Sequence, residues 1–116
     1  MTSSGALWEP AHGGSTLGLA GSEGGTITRD EALGGARLTL EEDASRGFYA
    51  LTCGISGWFV HTRFFGDAHE ALAAFEEMQP ALAELVARLP ADGPMSAPDA
   101  ARAGGPLLGA FIARFP

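Results

Sequence analysis

A chain of 116 residues, 46% of them hydrophobic, is the size of one domain and can build a core without disulfides or a structural metal. Its 7 basic and 14 acidic residues leave a net charge of −7, which disfavours nucleic-acid backbones and anionic membranes as general partners. Every basic residue is arginine, so Schiff-base, phosphate-loop and general-base chemistry at a lysine is excluded; the absence of asparagine excludes an N-glycosylation acceptor and an Asn-Gly turn.

Richness in Ala, Gly, Pro and Arg without Lys or Asn reads as the mark of a GC-rich, bacterial coding sequence rather than of a functional demand. Cys53 is the single cysteine and cannot close an internal disulfide. The first basic residue is Arg29, so the positive start of a secretory signal is missing, and no apolar run approaches the ~18 residues of a membrane span. The expected location is the cytoplasm.

Residues 1–25 are rich in Gly and Ser and lack sustained periodicity, which predicts a mobile or loosely docked arm. Trp8, Leu17 and Leu19 argue against a pure linker. From Thr26 the pattern changes to short β-type runs: TITRD, ARLTLEED after the Gly34-Gly35 break, then FYALTC and WFVHTRFF on either side of Gly54 and Gly57. These runs predict a four-stranded meander. For the first hairpin, Asp30 opposite Arg37 brings Thr28 to Thr39 and Ile27 to Leu40, although Gly34-Gly35 permits several loops.

The segment Gly47 to Phe65 holds six of the ten aromatic residues. A two-residue turn at Ile55-Ser56 and a four-residue loop from Gly54 to Gly57 give one register, with Cys53 opposite Trp58, Leu51 opposite Val60 and Tyr49 opposite Thr62. Tyr49, Leu51, Cys53, Trp58, Val60, Thr62 and Phe64 then form the core face. Phe48, Ala50, Thr52, Phe59, His61, Arg63 and Phe65 form a second face that mixes aromatics with charge.

Asp67 is suited to cap a helix with Glu70 at its third position, and Leu72, Phe75, Met78, Leu82, Leu85, Val86 and Leu89 recur at helical spacing. Pro80 predicts a kink or two abutting helices, and Pro90 the end. A Pro/Ala/Gly connector follows, with Ser96 as a cap for a helical turn at Pro98-Asp99. The last segment sets Leu107, Leu108, Phe111, Ile112 and Phe115 on one side of a short helix, with a strand over AFIARF as the other option.

Several residue combinations invite chemistry. Cys53 with His61 suggests an activated thiol, but the expected register puts them on opposite faces of the sheet, leaving Cys53 a small buried hydrophobe. His69-Glu70 begins a zinc-protease motif whose second histidine is replaced by Ala73, and His12, His61 and His69 have no ligand spacing, so no metal is assigned. Ser22 lacks the strand and helix of a nucleophile elbow, and the Gly-Gly pairs lack the context of a phosphate or dinucleotide loop. The acidic runs Glu41-Glu42-Asp43 and Glu76-Glu77 read as solvated surface, or as a decoy surface for a basic partner.

His61 and Arg63, flanked by Phe59 and Phe65, are the candidate ligand-binding residues: Arg63 could clamp a carboxylate or phosphate while His61 exchanges a proton. The simpler reading of that face is an interface, or a surface half-covered by the terminal segments with Arg63 paired to Glu41 or another acid.

The sequence thus predicts a single α+β domain. Residues 1–25 form an irregular arm, residues 26–90 a four-stranded antiparallel meander packed on one face by a long, Pro-kinked helix, and residues 91–116 a connector and short C-terminal helix. The expected function is a non-enzymatic protein–protein interaction module that self-associates as a homodimer through the Phe48, Phe59, His61, Arg63 and Phe65 face or the C-terminal segment, or acts with another protein partner. No catalytic residues or cofactor are assigned. A small ligand-binding domain or enzyme at His61 and Arg63 is the alternative, and an acidic, immunity-type inhibitor is the third reading.

Overall fold

The computed structural model describes residues 7–90 and 97–116. Four long strands, β2 (Thr26–Leu33), β3 (Ala36–Asp43), β4 (Phe48–Ile55) and β5 (Phe59–Phe65), follow one another in an antiparallel meander. A fifth, two-residue strand, β1 (Glu9–Pro10), is added along β2, so the sheet has five strands rather than the expected four. Two helices follow, α1 (Ala68–Arg88) and α2 (Ala97–Arg114).

The β2–β3 hairpin turns tightly at Gly34-Gly35, pairing Leu33 with Ala36 and Asp30 with Thr39. From Arg29 to Leu33 this is two residues from the expected register, and a shift of two keeps those side chains on their faces; a bulge between Ile27 and Arg29 then sets Ile27 opposite Glu41 rather than the expected Leu40. Asp30 and Arg37 therefore remain partners, diagonally rather than directly, with Arg37 Nε donating to Asp30 Oδ1 at 2.8 Å.

The β4–β5 register differs by an odd number, and the consequences are larger. Cys53 lies opposite His61, Leu51 opposite Arg63 and Tyr49 opposite Phe65. The cause is the loop. Ile55 pairs with Phe59 across three residues, Ser56-Gly57-Trp58, with Gly57 at φ 81° and Trp58 N donating to Ile55 O at 2.8 Å. A three-residue hairpin closed by a left-handed glycine is as regular as the even-numbered loops, and it inverts the faces of β5. Trp58, released from the strand, lies against Gly104 of α2, where an added Cβ would collide with its ring.

Phe59, His61, Arg63 and Phe65 thus share the helix-covered face with Leu38, Leu40, Leu51, Cys53 and Ile55, while Val60, Thr62 and Phe64 point the other way beside Phe48, Thr52 and Gly54. The expected division of β5 is reversed. Phe48 is parted from Phe59 and instead meets the Phe64 ring edge-on at 5.8 Å.

Asp67 caps α1 as its sequence indicates, its Oδ1 accepting from His69 N at 3.1 Å. The buried stripe runs through Ala71, Ala74, Phe75, Met78, Leu82 and Leu85, and closes on Leu89. Leu72 lies outside it and is 40% exposed, its place toward the sheet taken by Ala71 and Ala74. Pro80 lies inside one continuous helix rather than dividing it. It is on the exposed side, where water can take the Glu76 carbonyl that loses its donor.

The C-terminal helix is 18 residues long, not short, with Pro106 inside it. It buries Phe111 and leaves Ile112 at the surface, and Phe115, just after its last residue, is buried as well. Ser96, proposed as a cap, lies outside the described residues.

The N-terminal arm is docked along most of its described length. Trp8 packs against the core, and the segment before β2 is tied to it by Gly18 N to Ile27 O at 2.9 Å and Ile27 N to Leu19 O at 2.9 Å. The arm covers the outer edge of β2 and part of the sheet face opposite the helices. The outer edge of β5 has no strand partner among the described residues.

Candidate functional site

The residues singled out from the sequence do come together, under a roof made by the chain itself. His61 Nε2 and the carbonyl oxygen of Phe115 are 2.7 Å apart, so the ring donates there as its Nε2–H form. Arg63 donates from Nε to Pro116 O at 3.1 Å and from Nη1 toward Met78 Sδ at 3.3 Å, and its guanidinium lies over the rings of Phe65 and Phe115. Phe59 meets Phe111 edge-on, and Phe111 packs on Phe115. The face expected to be an interface or a pocket is occupied by the end of α2. Its polar groups are spent on that docking, and Arg63 does not pair with Glu41, which lies on the other side of the sheet.

Cys53 and His61 are cross-strand neighbours, contrary to the expected separation. The thiol is nevertheless inert by environment. Cys53 is fully buried, and this desolvation pushes its pKa up to about 11, against the opposing pull of Arg63. A thiolate is thereby disfavoured, and the His61 ring is held by its Nε2–H bond to the Phe115 carbonyl. The small-hydrophobe reading of Cys53 agrees with this setting, for a different reason than its face.

The opposite face holds the less expected chemistry. Glu41, read from the sequence as solvated, is 0% exposed. Its carboxylate is wrapped by the Gly21–Gly25 loop: Gly25 N donates to Oε1 at 2.9 Å and Glu23 N reaches both oxygens at 3.2 Å. Gly25 approaches so closely that an added Cβ would stand 3.1 Å from the Glu41 Cβ. Glu41 thus organises a glycine-rich loop whose backbone N–H groups converge on one anion. Ser22, set aside as a nucleophile, is part of that loop and lies 3.5 Å from Glu41 Oε2.

Asp30, also buried, receives hydrogen bonds from Thr16 at 2.7 Å, Thr39 at 2.9 Å and Arg37. Burial alone would raise its pKa. The bonds from Arg37, Thr16 and Thr39 outweigh that and hold it below the usual aspartate value. The same pairing raises Arg37 further above its ordinary range.

Between this arm and the strands lies a groove of about 780 Å³. Its floor includes Arg37, Thr39, Thr52 and Gly54, and Leu19 and Val60 stand on its sides. These residues carried no functional signal in sequence. The available clue was the alternation Arg37-Leu-Thr39-Leu-Glu41, which places a row of polar groups on the face away from the helices.

Comparison with protein-family models, with curated proteins and with solved structures finds no match. Among the described residues no helix is long and apolar enough to cross a membrane, and no three His, Cys, Asp or Glu side chains are grouped to hold a metal ion.

Proposed function

We propose that the protein is a non-enzymatic protein–protein interaction module that self-associates through the outer edge of β5. The observation that carries this reading is the state of that strand: it ends the sheet with no further strand partner among the described residues, and Val60 and Phe64 on it are 77% and 58% exposed. Natural sheet edges are usually blunted by lysine, proline, a bulge or a covering segment. Strand β5 carries neither lysine nor proline, and its one arginine, Arg63, is turned under α2. Read outward, β5 is also self-complementary. An antiparallel copy centred on Thr62 sets Val60 against Phe64 of the second copy and Thr62 against itself, a two-fold arrangement that extends both sheets.

One strand and two apolar side chains make a small interface, so association in the micromolar rather than the nanomolar range is expected. Light scattering across a concentration series tests this. The wild type should move from monomer to dimer, and Val60→Lys should remain monomeric at every concentration with unchanged thermal stability. A monomeric wild type at high concentration, or a Val60→Lys protein that still dimerises, would contradict the reading.

A further inference from the structure

We infer that the groove on the helix-free face is a binding site for a small carboxylate that carries a flat apolar ring. Such a site does not require self-association. Arg37 is the only charged side chain among the residues that line the groove. Its Nε and Nη2 are bonded to Asp30, a carboxylate with no exposed side-chain surface, so the guanidinium is fixed in place while remaining 43% exposed. Its Nη1 makes no hydrogen bond among the described residues. Arginine has five N–H donors, and those left over face the groove as a preformed anchor for an acceptor.

The choice of a single carboxylate follows from the surroundings. A dianionic phosphate would enter a protein of net charge −7, past the buried Glu41, with no second cation to meet it. A monoanion needs only the one arginine, and a planar carboxylate matches the planar fork. Thr39 adds no donor, because its hydroxyl already donates to Asp30 Oδ1 at 2.9 Å, so Arg37 is the single anchor.

The ring is argued from shape. Gly54 leaves bare backbone on the floor, at a point where an added Cβ would be 2.9 Å from Phe59 O and 3.4 Å from a Val60 methyl. Leu19, 57% exposed, and Val60 flank this bare strip. A flat ring covers such a strip with fewer rotors to freeze than an alkyl chain of similar area. The volume falls within the ~300–1,000 Å³ typical of small-molecule sites.

The test is amide chemical-shift mapping by NMR on the full chain, titrated in parallel with naphthoate, naphthalenemethanol and octanoate. The expected result is saturable shifts at Leu19, Gly54 and Val60 with naphthoate, and ~10-fold or weaker binding of the neutral alcohol, since one charge-assisted anchor is lost. Octanoate should bind more weakly than naphthoate. Arg37→Gln should reduce naphthoate binding to the level of the alcohol. Should that variant fail to fold because Asp30 loses its partner, the acid-versus-alcohol comparison on the wild-type protein decides alone. Equal binding of acid and alcohol, tighter binding of octanoate, shifts mapping elsewhere, or no saturable shift would each overturn the inference.

Discussion

The two faces of the sheet use opposite means of stabilisation. Under the helices, Leu38, Leu51, Phe75, Met78 and Leu82 form a continuous apolar core, and the polar groups at its rim, His61 and Arg63, are satisfied by the two residues just beyond α2. On the other face, beside the small apolar contribution of Ile27 and Ala50, two carboxylates are buried: Asp30 and Glu41, held by hydroxyls, a guanidinium and backbone N–H groups of the arm. The large apolar side chains Val60, Phe64 and Leu19 are left exposed there, beside the half-exposed Arg37. The lesson is that the helix-covered face specifies the fold, while the arm-covered face combines a fastening for the N-terminal segment with a surface that has no covering of its own.

The largest test of this contrast is a pair of phenylalanines. Phe75→Ala removes a fully buried ring and should cost ~3–5 kcal/mol in urea unfolding, whereas Phe64→Ala, on the open face, should stay within ~0.5 kcal/mol when measured on the monomer. Similar losses at the two sites would erase the distinction between the faces.

A smaller effect is expected where a charge is the buried element. Glu41→Ala leaves the Glu23 and Gly25 N–H groups without their acceptor, and a loss of ~1–3 kcal/mol should appear together with faster amide exchange across Gly21–Gly25. If the loop keeps its protection in the variant, Glu41 is not what holds the arm.

The smallest test uses pH. Asp30 has a folded-state pKa below its unfolded value of ~3.9, so its ionised form favours folding; that contribution is complete above pH ~4 and is lost as pH falls through the lower, folded value. Asp30→Asn lacks the contribution at neutral pH as well. The stability gap between wild type and variant, read from urea midpoints, should therefore narrow below pH ~4. A gap that holds constant or widens in acid would show that Asp30 is not stabilised as an anion.

Much of the architecture was legible in the chain. The strand runs, the Asp67 cap and the Phe75–Leu82 stripe each follow from local pattern, and the structure places them accordingly. The site was not legible, for a definite reason. The face of every β5 side chain depended on whether its turn held an even or an odd number of residues, and Gly54, Ser56 and Gly57 allow either. Apolar count could not decide, because Phe59 and Phe65 on one side balance Val60 and Phe64 on the other. The deciding partners, the carbonyls of Phe115 and Pro116, lie more than fifty positions away. Glu41 was missed because a glycine-rich arm looks like a linker until something anionic organises it. The two-residue strand β1 is too short to leave a pattern.

The account rests on the outer edge of β5 being the surface through which two copies meet. Amide hydrogen exchange at two protein concentrations addresses it directly, since amides pointing outward from β5 have no strand partner among the described residues. Those amides should gain protection as concentration rises, while central β3 stays unchanged. Protection that appears in α2 or the arm instead, or no dependence on concentration in β5, would contradict the proposal.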